Sequence, residues 1–225
     1  MSLRAIVFDF DGVIANSEPL HFRGYRDTLA AEGVTLTETD YYAQYLGFDD
    51  VGAFEAIGAA NGAAWSAAQI AELVARKAVR LEELERDVSV LFPGAADAIR
   101  RAAAAMPIAI ASGARGEEIR RVLAREQLLH YFAAIVAAED TPVSKPAPDP
   151  YLRALAQLTP ALGGLRAAEC VAIEDSHWGL DSARVAGMHT VAVTNTYSSD
   201  VLRADLVITS LDAMDLDRLA DLCAK

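Results

Sequence analysis

The sequence predicts an α/β protein, a doubly wound parallel sheet with an all-helical segment inserted after its first strand. Four continuous aliphatic runs carry the prediction: Arg4–Phe8, Pro107–Ala111, Cys170–Ile173 and Thr190–Val193, with weaker ones at Ala134–Ala137 and Leu206–Ile208. Runs without polar alternation suit strands buried on both faces of a parallel sheet. Helical patterns separate them, at about 94–105, 116–126, 149–158, 177–186 and 213–223. Strand–helix alternation of this kind is the signature of a doubly wound sheet.

One stretch breaks that rhythm. Residues 16–90 hold helical patterns at 18–32, 50–61 and 66–86 and no strand-like run, with Gly33, Gly47 and Gly62 as punctuation. The expected division is an α/β core, 1–15 and 91–225, and a helical insertion, 16–90. Ligands of open α/β sheets bind beyond the carboxyl ends of the strands. An insertion leaving from the end of the first strand therefore reads as a cap, or lid.

Composition narrows the function classes. The chain has 225 residues, 53% of them hydrophobic, enough for a sizeable core, and no apolar run approaches the ~18 residues of a membrane span. Asp9 and Asp11 interrupt the first apolar run, so it does not read as a signal peptide. The two cysteines, Cys170 and Cys223, lie in no metal or redox spacing, which points to a reducing, cytoplasmic setting. A formal charge of −12 repels nucleic acid and anionic membranes. It repels phosphorylated substrates too, so a phosphate site here must bring its own positive charge. A monomer is the expectation, because a lid over one site needs no partner.

Four polar motifs fall at predicted strand ends. Asp9-Phe10-Asp11-Gly12-Val13 places two carboxylates two apart, on the same side of an extended chain, before a glycine turn. Alone, such a pair is also an ordinary acidic turn. Glu174-Asp175-Ser176 supplies further carboxylates, and oxygen ligands of this kind suit Mg²⁺, although Asp175 or Ser176 also suits a helix cap. Ser112-Gly113 offers a hydroxyl and backbone N–H groups ahead of a helix. Lys145 sits in Val143-Ser144-Lys145-Pro146-Ala147-Pro148, a loop stiffened by proline around a single cation. Together these make a phosphoryl-transfer kit: nucleophile, acid/base, metal carboxylates, hydroxyl and lysine.

In this order the four motifs resemble the haloacid dehalogenase-like superfamily, and the helical insertion with Lys145-Pro146-Ala147-Pro148-Asp149 resembles its β-phosphoglucomutase and phosphoglycolate phosphatase branch. The resemblance covers the whole chain and implies a Rossmann-like core with a helical cap. It implies that Asp9 forms an aspartyl-phosphate and that Asp11 protonates the leaving oxygen and then deprotonates the attacking water or hydroxyl. Mg²⁺ would bind Asp9, the Asp11 main-chain carbonyl and Asp175, with Glu174 nearby. Ser112, the Gly113 amide and Lys145 would hold the transferring phosphoryl group. The implied reaction is Mg²⁺-dependent hydrolysis of a small phosphorylated metabolite, of sugar phosphate or phosphoglycolate type. Haloacid-cleaving relatives lack a second Asp at position 11, which speaks against dehalogenation.

The alternative within this branch is a phosphosugar mutase. His21 and Lys77 align with its cap residues and are read as substrate-binding, although Arg76-Lys77 also suits a solvated helix face. Arg115, just after the Ser112 loop, is a further candidate for substrate binding. Against the mutase stands Leu46-Gly47-Phe48-Asp49-Asp50, where Asp50 takes the place of an arginine that grips a second phosphate. Two carboxylates there are expected to repel a distal phosphate, so hydrolysis is favoured. Trp65 and Trp178 read as packing residues, although Trp178 also suits a place bordering the metal loop.

Overall fold

The first aliphatic run folds as strand β1, Ala5–Phe8, with all four side chains fully buried. In this computed structural model residues 2–46, 48–86 and 88–224 are described. Gly47, read above as punctuation, lies outside them. The chain divides into two compact units, one of Met1–Asn16 with Val90–Lys225 and one of Ser17–Ser89.

The helical unit contains α1 (Glu18–Ala30), the short α2 (Glu38–Asp40) leading into a π-helical turn at Tyr41–Tyr45, α3 (Asp50–Ala60) and α4 (Ala67–Glu85). Ser66 begins α4 in a reciprocal capping box with Gln69, which satisfies two orphan backbone donors. Asp49 caps α3, its carboxylate accepting from the Gly52 amide at 2.7 Å. Phe22, Tyr25, Leu29, Phe54, Ile57 and Leu73 pack a core of this unit's own. The segment 38–45 was not anticipated as helical. Its tyrosines depress helix propensity, and only the Tyr41 and Tyr45 side chains, four apart, are buried.

The other unit holds α5 (Ala95–Ala105), β2 (Ile108–Ala111), α6 (Gly116–Arg125), β3 (Phe132–Val136), α7 (Asp149–Leu158), β4 (Cys170–Glu174), α8 (His177–Val185), β5 (His189–Val193), β6 (Leu206–Ile208) and α9 (Leu216–Ala224). Its six strands form one sheet in the order β3-β2-β1-β4-β5-β6, and every pairing is parallel. β1 lies between β2 and β4, Ile6 standing opposite both Ile108 and Val171. Alternate residues of the strands, Val7, Ala109, Val136 and Ala172, pack with Tyr151, Ala154 and Leu158 of α7. β3 starts two residues earlier than its aliphatic run suggests. It is an edge strand, and Phe132 and Ala133 keep partly exposed side chains that dilute the pattern.

The strand order places β1 beside β4, where the chain's progress across the sheet reverses direction, so the motif-bearing ends of the two strands are neighbours. Among the described residues no helix is long and apolar enough to cross a membrane.

Candidate active site

Asp9 extends β1 by one residue, its amide donating to the Ile173 carbonyl at 2.9 Å. The main chain then bends. Phe10 donates its amide to Asp9 Oδ1 at 2.7 Å, and Gly12 takes a φ of 76°, the left-handed region where a side chain is costly. The extended geometry that would align Asp11 with Asp9 therefore stops short of Asp11, which pairs its backbone with Ala15 in a tight turn. Asp11 is half-buried in that turn.

Three carboxylates converge at the ends of β1 and β4. Ligand oxygens of Asp9, Glu174 and Asp175 all lie within 4.8 Å of one another. Lys145 answers them, its Nζ at 2.9 Å from Asp9 Oδ1 and 2.6 Å from Glu174 Oε1. The lysine side chain is 12% exposed, largely withdrawn from solvent rather than solvated. Glu174 is fully enclosed and accepts further from the Tyr151 hydroxyl at 2.7 Å, the Ser176 hydroxyl at 3.3 Å and the Asp175 amide at 3.2 Å. The Thr196 hydroxyl donates to Asp175 Oδ2, and Asn195 Nδ2 donates to the Gly12 carbonyl at 2.8 Å.

One buried ammonium does not neutralise three buried carboxylates. Burial and the Glu174 charge lift the Asp9 carboxyl well above its usual range, with Lys145 pulling the other way. Burial and Glu174 likewise push Asp175 up to about 6, against the Thr196 hydrogen bond. Burial lowers the Lys145 pKa, but Asp9 and Glu174 outweigh it and raise the ammonium above an ordinary lysine. The cluster as it stands has room for one more positive charge.

Two glycines make that crowding possible. A Cβ on Gly12 would sit 1.9 Å from Asp175 Oδ2, and one on Gly179 would sit 1.9 Å from Glu174 Oε1. The donor set is all oxygen and compact, and it is held by hydrogen bonds from Thr196, Tyr151 and Ser176. Such a set fits a hard divalent cation of the Mg²⁺ kind. The carboxylate of Asp11 is not part of this group of three.

The other expected residues sit at neighbouring positions of the same unit. Ser112 follows β2 and is buried; its amide donates to Val136 O at 3.0 Å and its hydroxyl accepts from the Ala114 amide at 3.0 Å. Gly113 and Arg115 are exposed, Arg115 preceding α6 without a side-chain cap bond. Trp178, two residues after Ser176, is 50% exposed rather than packed away, its ring against His177 with centroids 3.8 Å apart.

In the helical unit Lys77 Nζ lies 2.6 Å from Asp50 Oδ1 and 2.9 Å from His21 Nδ1, above the Tyr25 ring at 4.6 Å. The Tyr25 hydroxyl donates to the same Asp50 oxygen at 2.6 Å. This corrects two expectations. Lys77 is no solvated face; that role falls to Arg76, which pairs with Glu32 at 2.7 Å. Asp49 and Asp50 are not a free acidic pair either, since Asp49 caps α3 and Asp50 is the counter-ion of Lys77. Burial raises the Asp50 pKa, but Lys77 more than compensates and holds it below the usual range.

The sequence reading missed Tyr151, Thr196, Asn195 and Gly179. Thr196 and Asn195 were within reach, as they follow β5 just as the other motifs follow their strands. Tyr151 was legible in part, because a tyrosine on the Tyr151–Ala154–Leu158 buried stripe needs a partner for its hydroxyl. Lys77 carried a signal too, occupying an apolar slot in the stripe Ile70, Leu73, Lys77, Leu81, Leu84.

Comparisons with known proteins identify the family to which the chain is similar. A family model described as haloacid dehalogenase-like hydrolase matches residues 3–187. Protein CbbY of Rhodobacter capsulatus is 33% identical over 99% of this chain and 100% of its own length. Fructose-1-phosphate phosphatase YqaB of Escherichia coli is 31% identical over 84% of this chain and 95% of its own. A variant of CbbY from Rhodobacter sphaeroides, solved with xylulose-1,5-bisphosphate, superposes with a TM-score of 0.78 at 26% identity, covering 95% of this chain and 96% of that one.

Proposed function

The chain belongs to the haloacid dehalogenase-like hydrolases and is a phosphoric monoester hydrolase, and from that premise we propose that it is a Mg²⁺-dependent phosphatase of small sugar or polyol phosphates. The observation that carries the proposal is Asp9, fixed at the end of β1 with Lys145 at 2.9 Å and two further carboxylates beside it. A carboxylate in that place is a nucleophile with its own cation at hand.

Asp9 attacks phosphorus, forming an Asp9–phosphoryl ester as the bond from phosphorus to the leaving alcohol breaks. Asp11 gives its proton to the departing oxygen, then takes one from the water that attacks the ester, releasing phosphate and restoring Asp9. Lys145, with Ser112 and the Gly113 amide, orients the phosphoryl oxygens. Asp9, Glu174 and Asp175, together with the Asp11 carbonyl, would hold Mg²⁺, and the ion would supply the positive charge this acidic cluster needs for a phosphate to approach. Arg115 adds positive charge near the Ser112 loop. A fructose-1-phosphate phosphatase among the relatives supports the sugar-phosphate part of this reading.

The test is phosphate release from a panel of sugar, polyol and glycolate monoesters, with Mg²⁺ and with chelator. Release that requires Mg²⁺ is the expected result. A panel left untouched by Mg²⁺-loaded protein overturns the proposal.

Metal binding has a second readout. Asp175 titrates near 6 in the fold against an ordinary 3.8. Its stabilising contribution is therefore complete below about pH 4 and is lost as pH rises through about 6, some 2–3 kcal/mol in all. Mg²⁺ binds the ionised cluster, so it is expected to raise the melting temperature markedly at pH 8 and little at pH 5. Equal Mg²⁺ shifts at the two pH values would contradict this account of the site.

A further inference from the structure

Among the described residues, Tyr151 is the largest fully buried side chain. Its ring belongs to the apolar stripe of α7, with Ala154 and Leu158, that packs on the sheet. Its hydroxyl does not belong there. A phenol oxygen in an apolar layer costs free energy unless it finds a hydrogen-bond partner. The partner is Glu174 Oε1, at 2.7 Å. The same oxygen accepts from Lys145 Nζ at 2.6 Å, and that ammonium stands 5.2 Å from the centre of the Tyr151 ring, within cation–π range. One side chain thus touches both members of the ion pair at the end of β4. The two oxygens of Glu174 are held differently. Oε1 takes these two short bonds, one of them charge-assisted, which fill its lone-pair positions. Oε2 takes only the Asp175 amide at 3.2 Å and the Ser176 hydroxyl at 3.3 Å. Lys145 is shared as well, its other contact being Asp9 Oδ1 at 2.9 Å.

We propose that Tyr151 is a positioning residue for the metal site: by filling Glu174 Oε1 beside Lys145, it presents Oε2 to the cation and leaves Lys145 shared with Asp9. The proposal rests on the Mg²⁺ reading above. Without the hydroxyl, Glu174 depends on Lys145 alone for Oε1. Its carboxylate is then freer to rotate, and the ammonium is drawn from Asp9 toward Glu174. Groups that orient a metal-binding carboxylate in this way are commonly worth about 10–100-fold in metal affinity.

The test is Mg²⁺ binding, followed by isothermal titration calorimetry, in wild type, Tyr151→Phe and Leu158→Ala. Phenylalanine keeps the ring in the stripe and removes only the hydroxyl. Leu158→Ala damages the same stripe two turns further along α7 and removes no hydrogen bond to Glu174. Tyr151→Phe is expected to weaken Mg²⁺ binding by about tenfold or more. Leu158→Ala is expected to lower the melting temperature while leaving Mg²⁺ affinity within about twofold of wild type. In Tyr151→Phe the Mg²⁺ concentration for half-maximal phosphate release rises by the same factor, and saturating Mg²⁺ restores release to within about threefold of wild type. Unchanged Mg²⁺ affinity in Tyr151→Phe, equal weakening in both variants, or a loss of release that Mg²⁺ fails to restore overturns the role of Tyr151 and leaves the Mg²⁺ reading standing. A wild type that takes up no Mg²⁺ overturns both.

Discussion

Replacing Asp9 with Asn is expected to remove phosphate release by about 10³-fold or more and to raise the melting temperature of the metal-free protein. The amide cannot form the phosphoryl ester, so turnover stops. The stability gain comes from the same atom. Asp9 is a buried carboxylate held beside Glu174 and Asp175, and its raised pKa means that the fold disfavours its ionised form at neutral pH. Asn keeps the shape without the charge, and Lys145 retains Glu174 at 2.6 Å. Function and stability therefore pull in opposite directions at one side chain. Phosphate release by Asp9→Asn at more than a few per cent of wild type would refute the assignment of the nucleophile. A lower melting temperature for the metal-free variant at pH 8 would refute the electrostatic account.

Gly179→Ala is the second large effect, and its sign is the interest. Glycine to alanine within a helix ordinarily stabilises by up to about 1 kcal/mol. Here the new methyl would lie 1.9 Å from both Cδ and Oε1 of Glu174. Glu174 has nowhere to go, being fully buried and tied to Lys145, Tyr151 and Ser176. The expected outcome is a loss of about 2–4 kcal/mol in chemical denaturation, from overpacking and from hydrogen bonds broken at a buried charge. Mg²⁺ should then restore less stability than it gives wild type. A variant as stable as wild type would mean that α8 slides aside at little cost. Gly12→Ala meets a similar obstacle at Asp175 and adds backbone strain from its φ of 76°.

Much of this architecture was legible because the central strands β1, β2, β4 and β5 are buried on both faces and so spell themselves as unbroken aliphatic runs. β6 at Leu206–Ile208 and α7 at Asp149–Leu158 fall where the pattern puts them. Where solvent reaches the chain the pattern fades, as at the half-exposed start of β3. The site was legible where chemistry sits directly on a strand end, as for Asp9, Ser112 and Glu174-Asp175. It was less so where a residue acts through space on another: Tyr151 and Thr196 are ordinary hydroxyls until β4 is placed beside them. The pairing of Asp50 with Lys77 was hidden for the same reason, since two helices separated along the chain had to be packed before either charge acquired a meaning. Asp50 alone looks like a repulsive charge; beside Lys77 it is a neutralising one.

The position of β1 has a consequence for how the chain is made. β1 precedes both of its partner strands along the chain, pairing with Ile108 and Val171 and their neighbours. Its four wholly apolar residues have no strand to pair with until β2 is made, by which point the residues of the helical core at Phe22, Phe54 and Leu73 are already present. Asp9 meets Glu174 and Asp175 only when β4 docks. The mutual repulsion of three buried carboxylates is thus deferred to a late stage, when most of the scaffold that must bear it exists. A truncated chain ending before Cys170 has the Asp9 carboxylate but lacks its two companions, Glu174 and Asp175, so the candidate metal site is complete only after β4 is made.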